Sequence, residues 1–204
     1  MGNLIGVFGG TFDPPHIGHC ILAEEAWHLL GLDCVYWVPA GEPPHKPDWP
    51  VSPIEDRIAM VKKITVNHPW FELSRVDVDR QGPHFAKDTL KILQTQDPKA
   101  KFVYLMGSDS LRDLMLWKQP EVFVQRAHAI GIMHRPGIDY DLETIQEQIP
   151  AISAKLQFFP APLIEISGQM IRRRIKDGLP VRFMVTRDVY DLILQRSLYH
   201  EPLS

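Results

Sequence analysis

The chain is short of cysteine, of long apolar runs and of excess charge of either sign, and each shortage removes a class of function. Only Cys20 and Cys34 occur among 204 residues, and they form no CxxC pair. Neither a disulfide framework nor a cysteine-rich metal site can therefore organise the fold, and both thiols are expected to be buried and reduced, as in a cytoplasmic protein. No apolar run comes near the ~20 residues that cross a bilayer. The N-terminus opens directly on strand-like sequence, so no secretory leader and no membrane role are expected. With 22 Lys and Arg against 25 Asp and Glu, the net charge is -3. A dedicated nucleic-acid binder would carry an excess of positive charge. Any basic site must be local. Nine histidines are scattered along the chain and only His16 and His19 are close neighbours. No third or fourth ligand is suggested near them, which argues against zinc.

What is present is ordinary globular composition, 45% hydrophobic and 23% charged. The length suits one domain spanning residues 1–204 that buries roughly 70% of its unfolded surface. Strand-like apolar runs recur at 4–8, 34–38, 71–78, 102–106, 129–133 and 156–159. Helical patterns lie between most of them, at 17–30, 54–66, 86–94, 120–126 and 142–149, with two more at 169–176 and 187–196. Gly31 and Gly178 are expected to close helices in the left-handed conformation. Ser52-Pro53-Ile54-Glu55 reads as an N-cap, a first-turn proline and a capping-box glutamate, and Thr186 as the cap of the last helix.

Alternating strands and helices, with near-continuous apolar strands, predict an α/β fold: a doubly wound parallel sheet covered on both faces. In the run 71–78 the apolar positions change phase between Leu73 and Val76, so a bulge or a break is expected there. No strand pattern follows Phe159, and the residues from about 160 to 204 read as a small helical C-terminal appendage. Residues 41–53 hold five prolines with His45, Lys46 and Trp49. That stretch suits neither strand nor helix and should lie at the carboxyl edge of the sheet, where such folds bind ligands.

The most informative string is Gly9-Gly10-Thr11-Phe12-Asp13-Pro14-Pro15-His16-Ile17-Gly18-His19. It joins a strand to a helix through a glycine turn, and a helix N-terminus with free N–H groups favours phosphates. His16 and His19, three apart, can face one ligand and donate to it. Gly18 allows a close approach. Donors so placed suit a phosphoryl centre whose non-bridging oxygens gain charge.

This string resembles the signature of the nucleotidyltransferase superfamily with the (H/T)xGH motif, and in particular the nicotinate mononucleotide adenylyltransferases. The likeness runs over nearly the whole chain. Pro43-Pro44-His45-Lys46 is similar to the family's PPHK loop, Arg57 and Met60 to its RxxM helix, and Gly107-Ser108-Asp109-Ser110-Leu111 with Trp117-Lys118 to its G(A/S)DxL…W segment. His134-Arg135-Pro136-Gly137 is similar to its RPG turn, and Ile166-Ser167-Gly168-Gln169-Met170-Ile171-Arg172 to its ISSTxIR motif.

The resemblance implies a Rossmann-like fold and an adenylyl transfer: the 5′-phosphate of a pyridine mononucleotide attacks the α-phosphate of ATP and pyrophosphate leaves. Most of the catalysis would come from positioning, worth ~7–11 kcal/mol in favourable geometry. Mg²⁺ would arrive on the ATP phosphates rather than in a carboxylate cage. The implied catalytic residues are His16, His19, Lys46 and Arg172. Gly9, Gly10, Thr11, Phe12, Gly107, Asp109, Arg135 and Ser167 would serve ATP, with Asp109 accepting ribose hydroxyls or, alternatively, capping a helix over 111–116. Trp117 would stack on the pyridine or pack as an ordinary core tryptophan. Ser167 would cap a second helix aimed at phosphates, with Arg173, Arg174 and Lys176 on its solvated face. The sequence leaves both a monomer and a homo-oligomer open.

Two departures stand out. Gly168 and Gln169 replace a serine and a threonine, which removes two hydroxyls beside the phosphates and keeps a nucleotide sensor with weak turnover as an alternative. Phe85 and Ala86 replace the family's tyrosine and threonine next to the pyridine's acid group. Backbone N–H groups, or His84, would have to read that carboxylate, so a preference for nicotinamide mononucleotide stays open.

Overall fold

The structure, a computed structural model, describes residues 2–41, 51–134 and 139–200. Six parallel strands form one sheet: β1 (Leu4–Gly10), β2 (Cys34–Pro39), β3 (Phe71–Leu73), β4 (Lys101–Gly107), β5 (Ala129–Met133) and β6 (Leu156–Phe159). Their order is β3-β2-β1-β4-β5-β6, the doubly wound order the alternation predicts. It reverses between β1 and β4, and the crevice beyond the carboxyl ends of those two strands is where such sheets bind ligands. Gly10 and Gly107 end the two strands there.

Eight helices cover the sheet: α1 (Ile17–Leu29), α2 (Ile54–Thr65), α3 (Ala86–Gln96), α4 (Ser108–Arg112), α5 (Pro120–Arg126), α6 (Leu142–Gln148), α7 (Gly168–Lys176) and α8 (Arg187–Gln195). Successive side chains of β1 point to opposite faces, and both faces are apolar. On one, Phe8 meets Trp37, Leu22, Met60, Ile171 and Val189 from β2, α1, α2, α7 and α8. On the other, Ile5 and Val7 join Phe102, Leu90, Leu93, Phe123 and Ile145. The two C-terminal helices thus share a core with the first strand and the first helix.

The phase change after Leu73 is a break: β3 stops there and the chain turns at Arg75–Asp79. Gly31 (φ +62°) and Gly178 (φ +68°) take the left-handed conformation expected of them. The N-terminus of α2 differs from expectation. Its N-cap is Pro53, with no side-chain cap, because the helix begins one residue later than the capping-box reading requires; Ser52 stands outside it and gives its backbone N–H to the Asp13 carboxylate at 3.1 Å. Thr186 does occupy the N-cap of α8, but its hydroxyl is buried and makes no bond there. The helix after β4 begins at Ser108 with Gly107 as N-cap, and 111–116 is split between the end of α4 and a 3₁₀ turn at Leu114–Leu116.

Candidate active site

β1 delivers the chain to the switch point as Gly9-Gly10. A Cβ on Gly9 would lie 2.9 Å from the Tyr104 hydroxyl, and one on Gly10 2.9 Å from the Phe12 ring, so neither position has room for a side chain. Phe12 has φ +51°, a strained conformation for a bulky residue. The kink folds its ring under the turn, where it is buried against Phe8 (5.4 Å between centroids), Trp37 (5.2 Å) and His19 (5.1 Å). Phe12 therefore supports the site from beneath, and any contribution to ATP comes through the backbone it shapes.

The two histidine rings lie against each other, tilted by 33°, with centroids 3.7 Å apart. The His16 backbone N–H donates to His19 Nδ1 at 3.1 Å. That bond makes Nδ1 the acceptor and leaves the His19 proton on Nε2, as a donor. Gly18 is required beside them, since a Cβ would sit 3.2 Å from the His16 ring. At the start of α1, the amides of His19 and Cys20 bond the His16 carbonyl, and the Ile17 amide donates to the Met184 carbonyl at 3.0 Å. This leaves the Gly18 amide, next to the imidazoles, without a backbone partner among the described residues.

A second helix end faces the first. Ser167 caps α7 by accepting the Met170 N–H at 3.1 Å, as expected. Arg172 projects from α7 to the turn and donates through one terminal nitrogen to the Asp13 carbonyl at 2.6 Å, 3.8 Å from the Asp13 carboxylate. Its Nε is buried and has no partner among the described residues. Gly168 has a steric reason: a Cβ there would meet the Asp13 carbonyl oxygen at 2.8 Å. The lost hydroxyl at this position lets α7 press against the phosphate turn. Gln169, Arg173 and Lys176 are exposed, while Arg174 donates to the Pro180 carbonyl. Between the two helix ends a recess is lined by His16, Gly18, Met133, His134, Leu163 and Ile166.

Arg57 carries more of the architecture than its place in a motif conveyed. It is 2% exposed and donates to the carbonyls of Ser52, Thr11, Ala40 and Gly41 at 2.7–3.1 Å. Burial pulls its pKa down, opposed by the nearby charge of Asp13, and a guanidinium remains charged under such a shift. Four backbone acceptors from three segments thus converge on one cation. The available sequence signal was an arginine flanked by the apolar face of α2, at Ile58, Met60 and Val61.

Beyond β4 lie Asp109, assigned to the ATP ribose, and Phe85, Ala86 and Trp117, assigned to the pyridine nucleotide. Asp109 is half-buried in the first turn of α4. Because Gly107 is the N-cap, capping is not its role. Trp117 is half-buried, edge-on to Tyr104 (6.1 Å, 77°) and 5.2 Å from Phe123. Phe85 is the N-cap of α3 and Ala86 its first residue. Behind them Asp77 accepts from Thr89 Oγ1 (2.8 Å) and from Arg80 Nε (3.0 Å). His84 is buried, with Nε2 3.1 Å from the Arg80 carbonyl, so that nitrogen belongs to the loop. Lys46 and Arg135, with the rest of the PPHK loop and the RPG turn, lie outside the described residues.

The thiols are inert: burial pushes Cys20 to about 12, and burial with Glu72 and Asp33 nearby pushes Cys34 to about 11. Both are free. Among the described residues no helix is long and apolar enough to cross a membrane, and no group of three His, Cys, Asp or Glu side chains could hold a metal ion.

The sequence profile of the cytidylyltransferase-like family matches residues 7–174. A probable nicotinate-nucleotide adenylyltransferase of Thermomicrobium roseum is 42% identical over 195 residues, covering 96% of this chain and 91% of that protein. One of Saccharopolyspora erythraea is 40% identical, covering 96% and 89%. In fold, the chain is similar to the Plasmodium falciparum nicotinic acid mononucleotide adenylyltransferase solved with NaAD, at a TM-score of 0.78 and 21% identity, covering 99% of this chain and 100% of that one.

Proposed function

Because this chain belongs to the cytidylyltransferase-like family and, within it, to the nicotinate-nucleotide adenylyltransferases, we propose that it joins ATP and nicotinate mononucleotide into nicotinate adenine dinucleotide, releasing pyrophosphate in NAD biosynthesis. The observation that carries this is the close His16–His19 pair at the switch point, faced by Arg172 from a second helix end. An oxygen of the mononucleotide 5′-phosphate bonds to the α-phosphorus as the bond to the pyrophosphate oxygen breaks. His19 Nε2–H and the Gly18 amide donate to the α-phosphate oxygens, where charge grows. Arg172 donates from its buried Nε to the departing phosphates, and Lys46 adds a point charge to the same end. No side chain forms a covalent intermediate.

The recess lined by His16, Gly18, His134 and Ile166 takes the adenosine, with Asp109 as ribose acceptor. Mg²⁺ comes bound to ATP: hard phosphate oxygens suit it, and the described residues offer no protein cage. The same proposal puts the enzyme in the cytoplasm, where two free thiols remain reduced.

The test is pyrophosphate release from ATP, Mg²⁺ and each mononucleotide in turn. Turnover with nicotinate mononucleotide that falls about 10²–10³-fold in His19→Ala supports the proposal; no release with either acceptor ends it. A preference for nicotinamide mononucleotide is the one rival that an observation favours, since Phe85 and Ala86 bring no hydroxyl to the acceptor's ring substituent. The ratio of the two rates decides. The sensor alternative, motivated by Gly168 and Gln169, is weakened at Gly168, which has a packing role against Asp13, and is excluded by turnover that His19→Ala abolishes.

A further inference from the structure

We propose that Tyr199 is a positioning residue for the adenylyl transfer: its hydroxyl locks Asp13 and, through Asp13, sets the phosphate turn against Arg172. The inference rests on the function proposed above for its kinetic arm. The Tyr199 hydroxyl donates to Asp13 Oδ1 at 2.7 Å across 186 positions of sequence, in a buried setting. The other carboxylate oxygen accepts the Ser52 N–H, and the main-chain oxygen of the same residue accepts Arg172. Asp13 is 4% exposed. One residue, three positions before His16, thus receives the C-terminal tail, the entry to α2 and the phosphate-facing arginine.

The tail is shaped for this contact. After α8 both Ser197 (φ +50°) and Tyr199 (φ +68°) are left-handed although neither is glycine. Such conformations persist only where the surroundings hold them. The two turns bring Tyr199 back over α2, where its oxygen also lies 3.8 Å from Met60 Sδ. Burial, and then the charge of Asp13, push the phenol's ionisation well above its ordinary value, so it remains a donor at any physiological pH. A carboxylate buried to this degree binds a donor more strongly than an exposed one does. Removing the hydroxyl frees Oδ1, and Asp13 then keeps only its bonds to Ser52 and Arg172.

The test compares Tyr199→Phe with Arg196→Ala. The first keeps the ring and removes one O–H; the second breaks the tail's exposed ion pair to Asp56 (2.6 Å) and leaves Asp13 untouched. For Tyr199→Phe, kcat falls roughly ten- to a hundredfold, the scale of losing a hydrogen bond to a charged group, with KM for the mononucleotide unchanged. Arg196→Ala retains the parent kcat. Amide hydrogen exchange in the free protein gives a readout independent of turnover: residues 11–18 and Ser52 exchange faster in Tyr199→Phe, while α3 and β5 do not. An inactive parent enzyme with this exchange pattern would remove the function proposed above and leave the Tyr199 lock standing. Unchanged kcat and unchanged exchange in Tyr199→Phe overturn the proposal. So does an equal loss in both variants, since that would assign the effect to tail docking in general.

Discussion

The turn from Gly9 to His19 is held by the far end of the chain, whereas Asp77 and His84, in the segment proposed to face the acceptor, are bonded by near neighbours. Asp13 is bonded by Arg172 and Tyr199, 159 and 186 positions away, and by Ser52, 39 positions away. Asp77 is bonded by Arg80 and Thr89, 3 and 12 positions away, and His84 reaches an Arg80 carbonyl 4 positions back. The phosphate side therefore takes its geometry only when the whole chain has folded. The segment proposed for the acceptor is bonded mostly within itself, with one long-range tie from Arg126 to the Lys87 carbonyl at 2.7 Å. That division matches the chemistry. Adenylyl transfer needs donors held to fractions of an ångström, while the acceptor's ring substituent is read by a few exchangeable groups, and it is there that Phe85 and Ala86 depart from the family pattern.

The comparison can be broken most severely at Arg57. Arg57→Ala strips one donor set from four carbonyls of three segments, and each buried acceptor left unmet costs ~1–3 kcal/mol; a loss of at least ~3 kcal/mol in urea unfolding is expected, with activity falling in the surviving fold. A next step is Gly168→Ser, which introduces the family's residue. Its Cβ meets the Asp13 carbonyl at 2.8 Å, so overpacking should cost ~1–3 kcal/mol. KM for ATP should rise while KM for the mononucleotide holds, and a variant with tighter ATP binding would show that the missing hydroxyl mattered more than the packing.

Thr89→Val tests the other side. It removes one donor from Asp77 while Arg80 stays, so ~1 kcal/mol of stability is expected to be lost. The kinetic change should appear in KM for the mononucleotide, not for ATP. The smallest effect is electrostatic. Cys20 on α1, behind the histidine turn, has its thiol raised from 9.0 to about 12, and Cys34 is raised to about 11. A raised value means the folded state keeps a proton that the unfolded state gives up. Their contribution is complete below pH 9 and is lost as pH climbs toward 11 and 12. Tyr199, also raised, adds a slope of the same sign at higher pH. Urea titrations at pH 7, 8 and 10 should give nearly the same midpoint at the first two and a lower one at the third.

Much of the scaffold was legible from local pattern. The apolar runs located all six strands, the phase change at Leu73 announced the end of β3, and Gly31 and Gly178 marked helix ends, because each depends on residues within a turn or two. Caps were less legible. Ser167 acts within its own turn and was read correctly, whereas Ser52 has its amide drawn to Asp13 and leaves the cap to Pro53. The motif residues on both flanks of the site could be named, but not what they touch. Arg57 was visible only as part of a pattern, and Asp13 only as a letter in a string; their importance lies in partners 16 to 186 positions distant.

By itself the sequence determined that this is a doubly wound α/β protein with a phosphate-handling turn, because strand and helix periodicity and a glycine-histidine turn are short-range properties of the chain. Tertiary structure alone decided how the C-terminal segment meets the first turn. A carbonyl of Met184, the guanidinium of Arg172 and the phenol of Tyr199 all meet the first turn. Hydrogen bonds act over about 3 Å whatever the sequence separation, so that meeting could be read only once the chain had closed on itself.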